Sequence, residues 1–226
     1  MRCLYCDQKD TVPVTWTSLL RPVERKVLCD ECADQFTLLT GPRCEGCSRM
    51  LEGLPQKTCA DCQAWNQCVN GENSLSWNFS IFAYNEWMKQ YFARYKYRGD
   101  YELSLYFRPF IKKILITMEY DILTPIPTSQ QRLYERGFNQ VEGLVDGLNY
   151  TDLLFKWPDE KQSKKSKQER MKKKNPFEFK NTFVVADKNI VLVDDLYTTG
   201  TTVRQAASIL RAAGAGDIAS LTLIRG

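Results

Sequence analysis

Apolar and polar positions repeat with two different periods after residue 77, and this predicts strands that alternate with helices. The predicted strands are NFSIFAY (78–84), YDILTPIP (120–127), LLFKW (153–157), NIVLVDD (189–195) and IASLTLIRG (218–226). The predicted helices are EWMKQYFARYKY (86–97), YELSLYFRPFIKKIL (101–115), GFNQVEGLVDGL (137–148) and VRQAASILRAAGAG (203–216). This order predicts an α/β fold, with a parallel sheet that carries helices on its faces. Ligands of such sheets bind beyond the carboxyl ends of the strands.

The front of the chain has a different pattern, because eight of the nine cysteines form four Cys-x-x-Cys pairs there. The members of these pairs are Cys3 and Cys6, Cys29 and Cys32, Cys44 and Cys47, and Cys59 and Cys62. Two intervening residues allow both thiolates of a pair to reach one tetrahedral zinc ion, and two pairs complete its shell. The sequential partition joins the first two pairs around one ion and the last two around another, but spacing leaves an interleaved partition open.

The alternative for these cysteines is a set of buried or redox-active thiols. The N-terminus lacks an apolar signal-peptide core and no apolar run is long enough to span a membrane, so we expect a cytoplasmic protein without a transmembrane segment. Cytoplasmic thiols are normally kept reduced, which favours one or two Zn²⁺ ions over disulfides. A fully thiolate-liganded zinc has no open coordination position, so we expect these ions to be structural.

Charge and composition narrow the chemistry further. The 226 residues include no histidine, which excludes a Ser-His nucleophile pair, a histidine base and histidine metal ligands. The net charge is +4, but the segment 161–174 alone carries +7, so the rest of the chain sums to −3. Residues 63–77 are polar and are predicted to be a linker. We therefore predict a Cys-rich, double zinc-ribbon-like module at 1–68 and an α/β domain at 78–226.

The stretch IVLVDDLYTTGTT (190–202) joins a buried strand to a helix. We expect the strand to end at Val193, Asp194 and Asp195 to leave its carboxyl end, and the helix to begin near Val203. A turn of small residues at a helix N-terminus presents unpaired N–H groups to a phosphate. The acids are then suited to accept hydrogen bonds from sugar hydroxyls or to help hold Mg²⁺. The alternative is an ordinary strand-turn-helix connection.

This stretch resembles, along its whole length, the phosphoribosyl pyrophosphate motif of type I phosphoribosyltransferases. The resemblance implies that Asp194 and Asp195 contact the ribose hydroxyls. It implies that the 5′-phosphate is bound by Thr198, Thr199, Gly200, Thr201 and Thr202. A second stretch, PIPTSQQRLYERGFNQ (125–140), resembles the pyrophosphate-binding side of these sites, with Arg132 and Arg136 as phosphate ligands and Gly137 opening a helix.

The cysteine pairs, together with RGFNQ (136–140) and YKYRGD (95–100), resemble the ComF family of naturally transformable bacteria over nearly the whole chain. The resemblance implies a protein that handles incoming single-stranded DNA at the cytoplasmic face of the membrane DNA-uptake machinery. It also implies a ComFA-type ATP-dependent helicase as partner. The chain has no G-x-x-x-x-G-K-[ST] motif, so an ATP-driven motor has to be such a partner.

Residues 161–174, which we call the basic segment, follow the predicted strand LLFKW. Type I phosphoribosyltransferases often carry a mobile flap over the active site at this place. Its cations are candidates for contacts with the DNA backbone. These candidates are Lys164, Lys165, Lys167, Arg170, Lys172, Lys173 and Lys174. A solvated loop is the alternative. A weaker candidate surface for stacking bases is formed by Tyr95, Tyr97, Tyr101, Tyr106 and Phe107 among Lys96, Arg98 and Arg108.

Two main functions follow from these observations. In the first, a zinc-stabilised protein carries single-stranded DNA and binds phosphoribosyl pyrophosphate or a similar nucleotide, together with Mg²⁺. In the second, the chain is an active phosphoribosyltransferase; this chemistry depends on positioning and charge stabilisation, so it needs no histidine. No segment identifies an acceptor. A structural adaptor with a vestigial pocket is a third hypothesis, and the intact acid pair and threonines count against it.

Overall fold

The computed structural model describes residues 2–9, 26–51, 53, 57–67, 74–97, 99–158 and 175–226. The basic segment, with all seven of its candidate DNA-binding residues, lies outside the described residues, as does Arg98. Every other candidate residue named above falls within the described ranges.

The elements alternate after residue 77 as the apolar pattern predicts. The helices are α1 (Asp30–Ala33), α2 (Ala60–Asn66), α3 (Glu86–Tyr97), a 3-10 helix (Tyr101–Tyr106), α4 (Arg108–Leu115), α5 (Gln130–Arg136), α6 (Gln140–Val145) and α7 (Thr201–Ala212). The strands are β1 (Trp77–Ala83), β2 (Ile122–Pro125), β3 (Leu154–Lys156), β4 (Phe177–Phe179), β5 (Ile190–Tyr197) and β6 (Ile218–Arg225).

Four of the strands form one parallel sheet in the order β1-β6-β5-β2. The predicted α/β fold with a parallel sheet is therefore confirmed. The central strands β5 and β6 are almost entirely buried, as expected for strands that are covered on both faces. The predicted strand LLFKW exists as β3, but it pairs antiparallel with β4 in a separate two-stranded sheet. Strand β4 was not predicted from the sequence.

Two details of the segment after β2 differ from the predictions. The loop that carries the two arginines contains a helix, α5, that was not predicted. Gly137 does not open a helix; it ends α5 in the left-handed conformation, with φ of 80°. The next helix, α6, begins at Gln140, and the Asn139 side chain accepts a hydrogen bond from the Val141 N–H.

The sheet separates two hydrophobic cores, because successive side chains of a strand point to opposite faces. Val191 and Val193 of β5 belong to the core that contains α3, α4 and α6. Ile190 and Leu192 belong to the core that contains α7 and the β3–β4 pair. The buried cysteines of the first two Cys-x-x-Cys pairs pack into the first core, and those of the last two pairs pack into the second.

The Cys-rich segment packs directly against the edge strand β1. The Leu39 N–H donates to the Ile81 carbonyl at 2.9 Å, and the Ala83 N–H donates to the Thr37 carbonyl at 2.9 Å. The Asn78 N–H donates to the carbonyl of Gly46 at 3.1 Å. These contacts cover a sheet edge that would otherwise expose unpaired backbone groups. The division into domains at 1–68 and 78–226 stays a prediction, but the linker predicted to begin at residue 63 overlaps α2, which is helical to residue 66.

Among the described residues, none of the helices combines the length and the apolar character that a membrane crossing requires.

Gly143, in the middle of α6, has no room for a side chain. A Cβ at this position would lie 2.3 Å from the hydroxyl oxygen of Tyr95. Tyr95 is fully buried, and its hydroxyl donates to the Gln140 carbonyl at 2.7 Å. Helix propensity alone would make Gly143→Ala stabilising by about 1 kcal/mol. We predict instead that Gly143→Ala lowers the free energy of unfolding by about 1–3 kcal/mol, measured by urea denaturation, because the core is overpacked.

The double variant Gly143→Ala/Tyr95→Phe provides the control. Removing the Tyr95 hydroxyl removes the clashing atom, so the double variant is expected to lose less stability than the sum of the two single variants. Strict additivity, or a stabilising Gly143→Ala, would contradict this account of the packing between α3 and α6.

Candidate functional site

The cysteines form two groups of four whose sulfur atoms all lie within 4.8 Å of one another. The first group is Cys3, Cys6, Cys29 and Cys32, and the second group is Cys44, Cys47, Cys59 and Cys62. The sulfurs of Cys6 and Cys29 are 3.7 Å apart, and those of Cys47 and Cys59 are 3.5 Å apart. Tetrahedral zinc with Zn–S bonds near 2.3 Å requires sulfur separations of about 3.8 Å. Both groups could therefore hold zinc, and the sequential partition is confirmed.

The two cysteine groups are built alike. In each group, the first pair lies in a turn that is closed by an antiparallel bridge, and the second pair begins a short helix. A left-handed residue follows each turn, namely Asp7 (φ 61°) and Ser48 (φ 59°). Gly46, in the turn between Cys44 and Cys47, does not adopt the left-handed conformation. A Cβ on Gly46 would lie 3.0 Å from the Cys62 sulfur, so this glycine allows the turn between Cys44 and Cys47 to approach Cys62 closely.

Arg225 couples the second cysteine group to the sheet. All four cysteines of this group are buried, whereas Cys6 of the first group is exposed. The Arg225 Nε donates to the Cys47 carbonyl at 3.0 Å, and its Nη2 lies 3.6 Å from the Cys47 sulfur. A hydrogen bond from Cys62, supported by Arg225, lowers the pKa of Cys47 to about 4. The thiolate form, which binds metal, is therefore favoured at Cys47.

Strand β5 continues through both acids and ends at Tyr197, four residues beyond Val193. It continues because Asp194 still pairs with Thr222 of β6 and Tyr197 pairs with Arg225. Residues Thr198–Thr202, which we call the threonine loop, then lead into α7. Gly200 has φ of 79°, and a Cβ on it would lie 2.1 Å from the Arg204 Nη1 and 2.3 Å from the Tyr197 hydroxyl. Only glycine fits this position.

The two acids are buried, and their pKa values are shifted in opposite directions. Asp195 forms an ion pair with Lys96 of α3. Burial opposes the ionisation of Asp195, but the Lys96 ammonium and several hydrogen bonds outweigh it and lower the pKa of Asp195. Burial, followed by the neighbouring Asp195 charge, raises the pKa of Asp194 well above its ordinary value. Burial therefore disfavours a second charge on the pair, and Lys96 favours the ionised form of Asp195.

The structure connects one of the two candidate arginines to this acid pair. The Arg136 Nη1 donates to the Gln140 Oε1 at 2.7 Å, and the Gln140 side chain is one of the groups that lower the pKa of Asp195. The Arg136 guanidinium also lies 5.4 Å from the centre of the Tyr97 ring. Arg132 lies one turn earlier on α5 and is exposed. An exposed helix that carries two cations thus lies beside the buried acids.

Several site residues could not be recognised from the sequence. Lys96 was noticed only as a cation among aromatic residues, and Gln140 only as a motif letter. Trp65 was assigned to the linker, yet its indole N–H donates to the Thr199 carbonyl of the threonine loop at 3.1 Å. Of the suggested stacking residues, Tyr95 and Phe107 are core residues, whereas Tyr97 is 76% exposed.

Comparisons with known proteins give matches to part of the chain and to its whole length. A family model described as "Phosphoribosyl transferase domain" matches residues 136–226. A solved structure titled "Structure of the allosteric regulatory enzyme of purine biosynthesis" is 24% identical, with a TM-score of 0.33, and the match covers 46% of this chain and 22% of that chain.

Two curated relatives align over essentially the full length. "Competence protein ComFC" of Streptococcus pneumoniae is 38% identical over 228 residues, and the alignment covers 100% of both chains. "Competence protein ComFC" of Bacillus subtilis is 37% identical over 234 residues, and the alignment covers 99% of this chain and 94% of that relative. Because this identity extends from end to end, the chain belongs to the ComFC family of competence proteins.

Proposed function

We propose that this protein acts in DNA uptake during natural transformation, as a cytoplasmic, zinc-containing protein that handles incoming single-stranded DNA. It works with a ComFA-type ATP-dependent helicase and binds phosphoribosyl pyrophosphate. The names of the full-length relatives support the role in transformation. The main observation in support of phosphoribosyl pyrophosphate binding is the buried, ionised Asp195, which lies beside the threonine loop at the carboxyl end of β5.

The charge of Asp195 is costly to bury, so its partners are informative. Lys96 and Gln140 are side chains, and both can rotate away when a ligand offers hydroxyl groups in their place. Ribose hydroxyls are neutral donors of suitable size for a carboxylate. The ligand-free protein thus keeps its site satisfied with an internal cation, and a sugar displaces it.

If the ribose hydroxyls bind Asp195, the other candidate residues have the following roles. Asp194 and Asp195 contact the ribose hydroxyls, the threonine loop binds the 5′-phosphate, and Arg132 and Arg136 bind the pyrophosphate. Burial and the neighbouring Asp195 charge raise the pKa of Asp194, which disfavours the carboxylate form that binds Mg²⁺ directly. The residues therefore fit a Mg²⁺ ion that is chelated by the pyrophosphate rather than by the acid pair. When bound, Mg²⁺ neutralises charge on the pyrophosphate.

Each cysteine group holds one structural Zn²⁺ ion in this proposal. The sulfur separations suit Zn–S bonds, and no position of either shell is left for substrate. The zinc ions then stabilise the two turns and the two short helices, which are too short to be stable alone.

Transfer of the phosphoribosyl group is the second candidate function. The ionised Asp195 favours it, because a negative charge beside the ribose stabilises the positive charge that develops at the sugar as pyrophosphate leaves. The acceptor supplies the electron pair for the new bond. Pyrophosphate release that depends on a defined acceptor and is lost in Asp195→Asn would establish catalysis.

Asp195→Asn is predicted to weaken the binding of phosphoribosyl pyrophosphate with Mg²⁺, measured by isothermal titration calorimetry. The substitution keeps the side-chain shape but removes a charge-assisted hydrogen bond, so the dissociation constant should rise about 10- to 100-fold. Asp152→Asn is the matched control, since Asp152 pairs with Lys180 at the surface. Equal affinities of Asp195→Asn and the unsubstituted protein would argue against this site.

Lys96→Met is predicted to lower the free energy of unfolding at pH 7 by about 2–4 kcal/mol, because the Asp195 carboxylate stays buried without its cation. The lowered pKa of Asp195 contributes stability above the pKa of the unfolded state, and this contribution disappears as pH falls through the folded-state pKa. The difference from the unsubstituted protein should therefore shrink below about pH 4. Denaturant titrations at several pH values measure it.

The control for this experiment is Lys89→Met on the same helix, whose exposed pair with Glu86 should contribute less than about 1 kcal/mol. A deficit in Lys96→Met that does not depend on pH would show that the loss comes from packing rather than from charge.

The basic segment is proposed to contact the DNA backbone. Replacing Lys164, Lys165 and Lys167 with glutamine should weaken the binding of single-stranded oligonucleotides. It should also flatten the slope of log K against log salt by about 0.7 for each lost contact. Fluorescence anisotropy at several salt concentrations measures both effects. Glutamine at Lys89, Lys112 and Lys113 is the control for net charge, and the same flattening in both variants would remove the assignment.

A further inference from the structure

Side chains from other parts of the chain donate hydrogen bonds to the backbone carbonyls of residues 197–200, at the end of β5 and in the threonine loop. The Arg225 Nη1 donates to the carbonyls of Tyr197 at 3.1 Å and Thr198 at 3.0 Å. The Trp65 Nε1 donates to the Thr199 carbonyl at 3.1 Å. The Arg204 Nη1 lies 3.5 Å from the Gly200 carbonyl. Four consecutive carbonyl groups are thus fixed by three side chains.

This anchoring determines where the amide groups of the loop point. In a planar trans peptide, the N–H of the following residue points opposite to the carbonyl. The N–H groups of Thr198, Thr199, Gly200 and Thr201 are therefore directed away from the anchoring side chains. The Thr201 N–H also donates to the Thr199 Oγ1 at 3.4 Å. A set of backbone N–H groups that is oriented in advance at a helix N-terminus binds a phosphate without a reorganisation cost. The anchoring side chains thus preserve the geometry that a phosphate requires.

Two of the three anchors are tied to the second cysteine group. Arg225 also donates to the Cys47 carbonyl and approaches the Cys47 sulfur. Trp65 lies on α2, the short helix that begins after Cys59 and carries Cys62. The third anchor stacks on the second, because the Arg204 guanidinium lies 4.6 Å from the centre of the Trp65 ring. Two of the anchors are thus joined directly to this cysteine group, and the third packs against one of them.

The first cysteine group makes different contacts. Tyr5, between its first two cysteines, stacks on Tyr91 of α3 with ring centres 5.3 Å apart. Arg94 of α3 donates to the Tyr5 carbonyl. These contacts lie in the core on the other face of the sheet. Only the second group, among the described residues, is linked to the threonine loop by the hydrogen bonds above.

We propose that the second cysteine group and the threonine loop form one coupled unit, in which zinc at the cysteines and a sugar phosphate at the loop strengthen each other's binding. Trp65 and Arg225 are the positioning residues that transmit this coupling. The inference rests on the proposed binding of phosphoribosyl pyrophosphate at the loop. Coupling of binding free energies is reciprocal, so each ligand must affect the other by the same factor.

Trp65→Phe tests the coupling without removing a metal ligand or a group that contacts the phosphate. It keeps an aromatic ring against Arg204 but loses the hydrogen bond to the Thr199 carbonyl. The dissociation constant for phosphoribosyl pyrophosphate with Mg²⁺ should rise about 3- to 10-fold in calorimetry, as the loss of one hydrogen bond implies. Trp87→Phe is the matched control, since the Trp87 indole N–H has no hydrogen-bond partner among the described residues. Its affinity should be unchanged.

The reciprocal measurement is zinc release to a chromophoric chelator. The full-length protein should contain two zinc ions and release them in two phases, one for each cysteine group. Saturating phosphoribosyl pyrophosphate should slow one phase at least about 3-fold and leave the other unchanged. In Trp65→Phe this protection should be reduced, whatever the release rate without ligand. A purely structural role of Trp65 would change the release rate but not the ratio with and without ligand.

The outcomes separate this inference from the proposed function. If the unsubstituted protein binds phosphoribosyl pyrophosphate, but Trp65→Phe binds it equally well and zinc release ignores the ligand, the coupling is overturned and the binding function stands. If the protein contains no zinc at the second group, the coupling is also overturned. If the unsubstituted protein does not bind phosphoribosyl pyrophosphate, both the function and the coupling fail.

Discussion

A carboxylate buried in the central strand of the sheet constrains most of the architecture around the site. Asp195 lies within β5, so its charge has to be satisfied by groups that reach the sheet from the helices above it. Lys96 comes from α3 and Gln140 from α6, and Arg136 of α5 holds Gln140 in turn. The tight packing of α3 against α6 at Gly143 keeps these groups within reach. The helices on this face of the sheet thus supply the side chains that favour the ionised form of Asp195.

The threonine loop depends on the opposite face. Its carbonyls are tied to Arg225, Trp65 and Arg204, and the first two of these are positioned by the second cysteine group. The two cysteine groups are therefore built alike but contact different parts of the fold. The first group stabilises the packing of α3, and the second supports the loop. The Cys-rich segment, whose two cysteine groups could each hold a metal ion, is in this way connected to the threonine loop.

The sequence predicts the fold well because burial leaves a strong pattern. The apolar runs of β5 and β6 and the amphipathic α7 are recognisable without tertiary information, and Cys-x-x-Cys spacing fixes the pairs. The misses have physical reasons. The helix α5 buries no side chain, so it has no apolar period, and β4 is only three residues long. The end of β5 could not be predicted, because the two polar aspartates interrupt the apolar pattern although the strand continues through them. Lys96 and Trp65 act through partners about 100 residues or more away, which no local pattern reveals.

The central claim is that the amides of the threonine loop bind the phosphate of a sugar whose hydroxyls meet Asp195. Nitrogen-15 NMR of the labelled protein, titrated with phosphoribosyl pyrophosphate and Mg²⁺, tests it most directly. The account predicts saturable downfield shifts of the amide signals of Thr198, Thr199, Gly200 and Thr201, while the amides around the first cysteine group keep their positions. Loop amides that do not move at ligand concentrations where calorimetry reports saturation would contradict it.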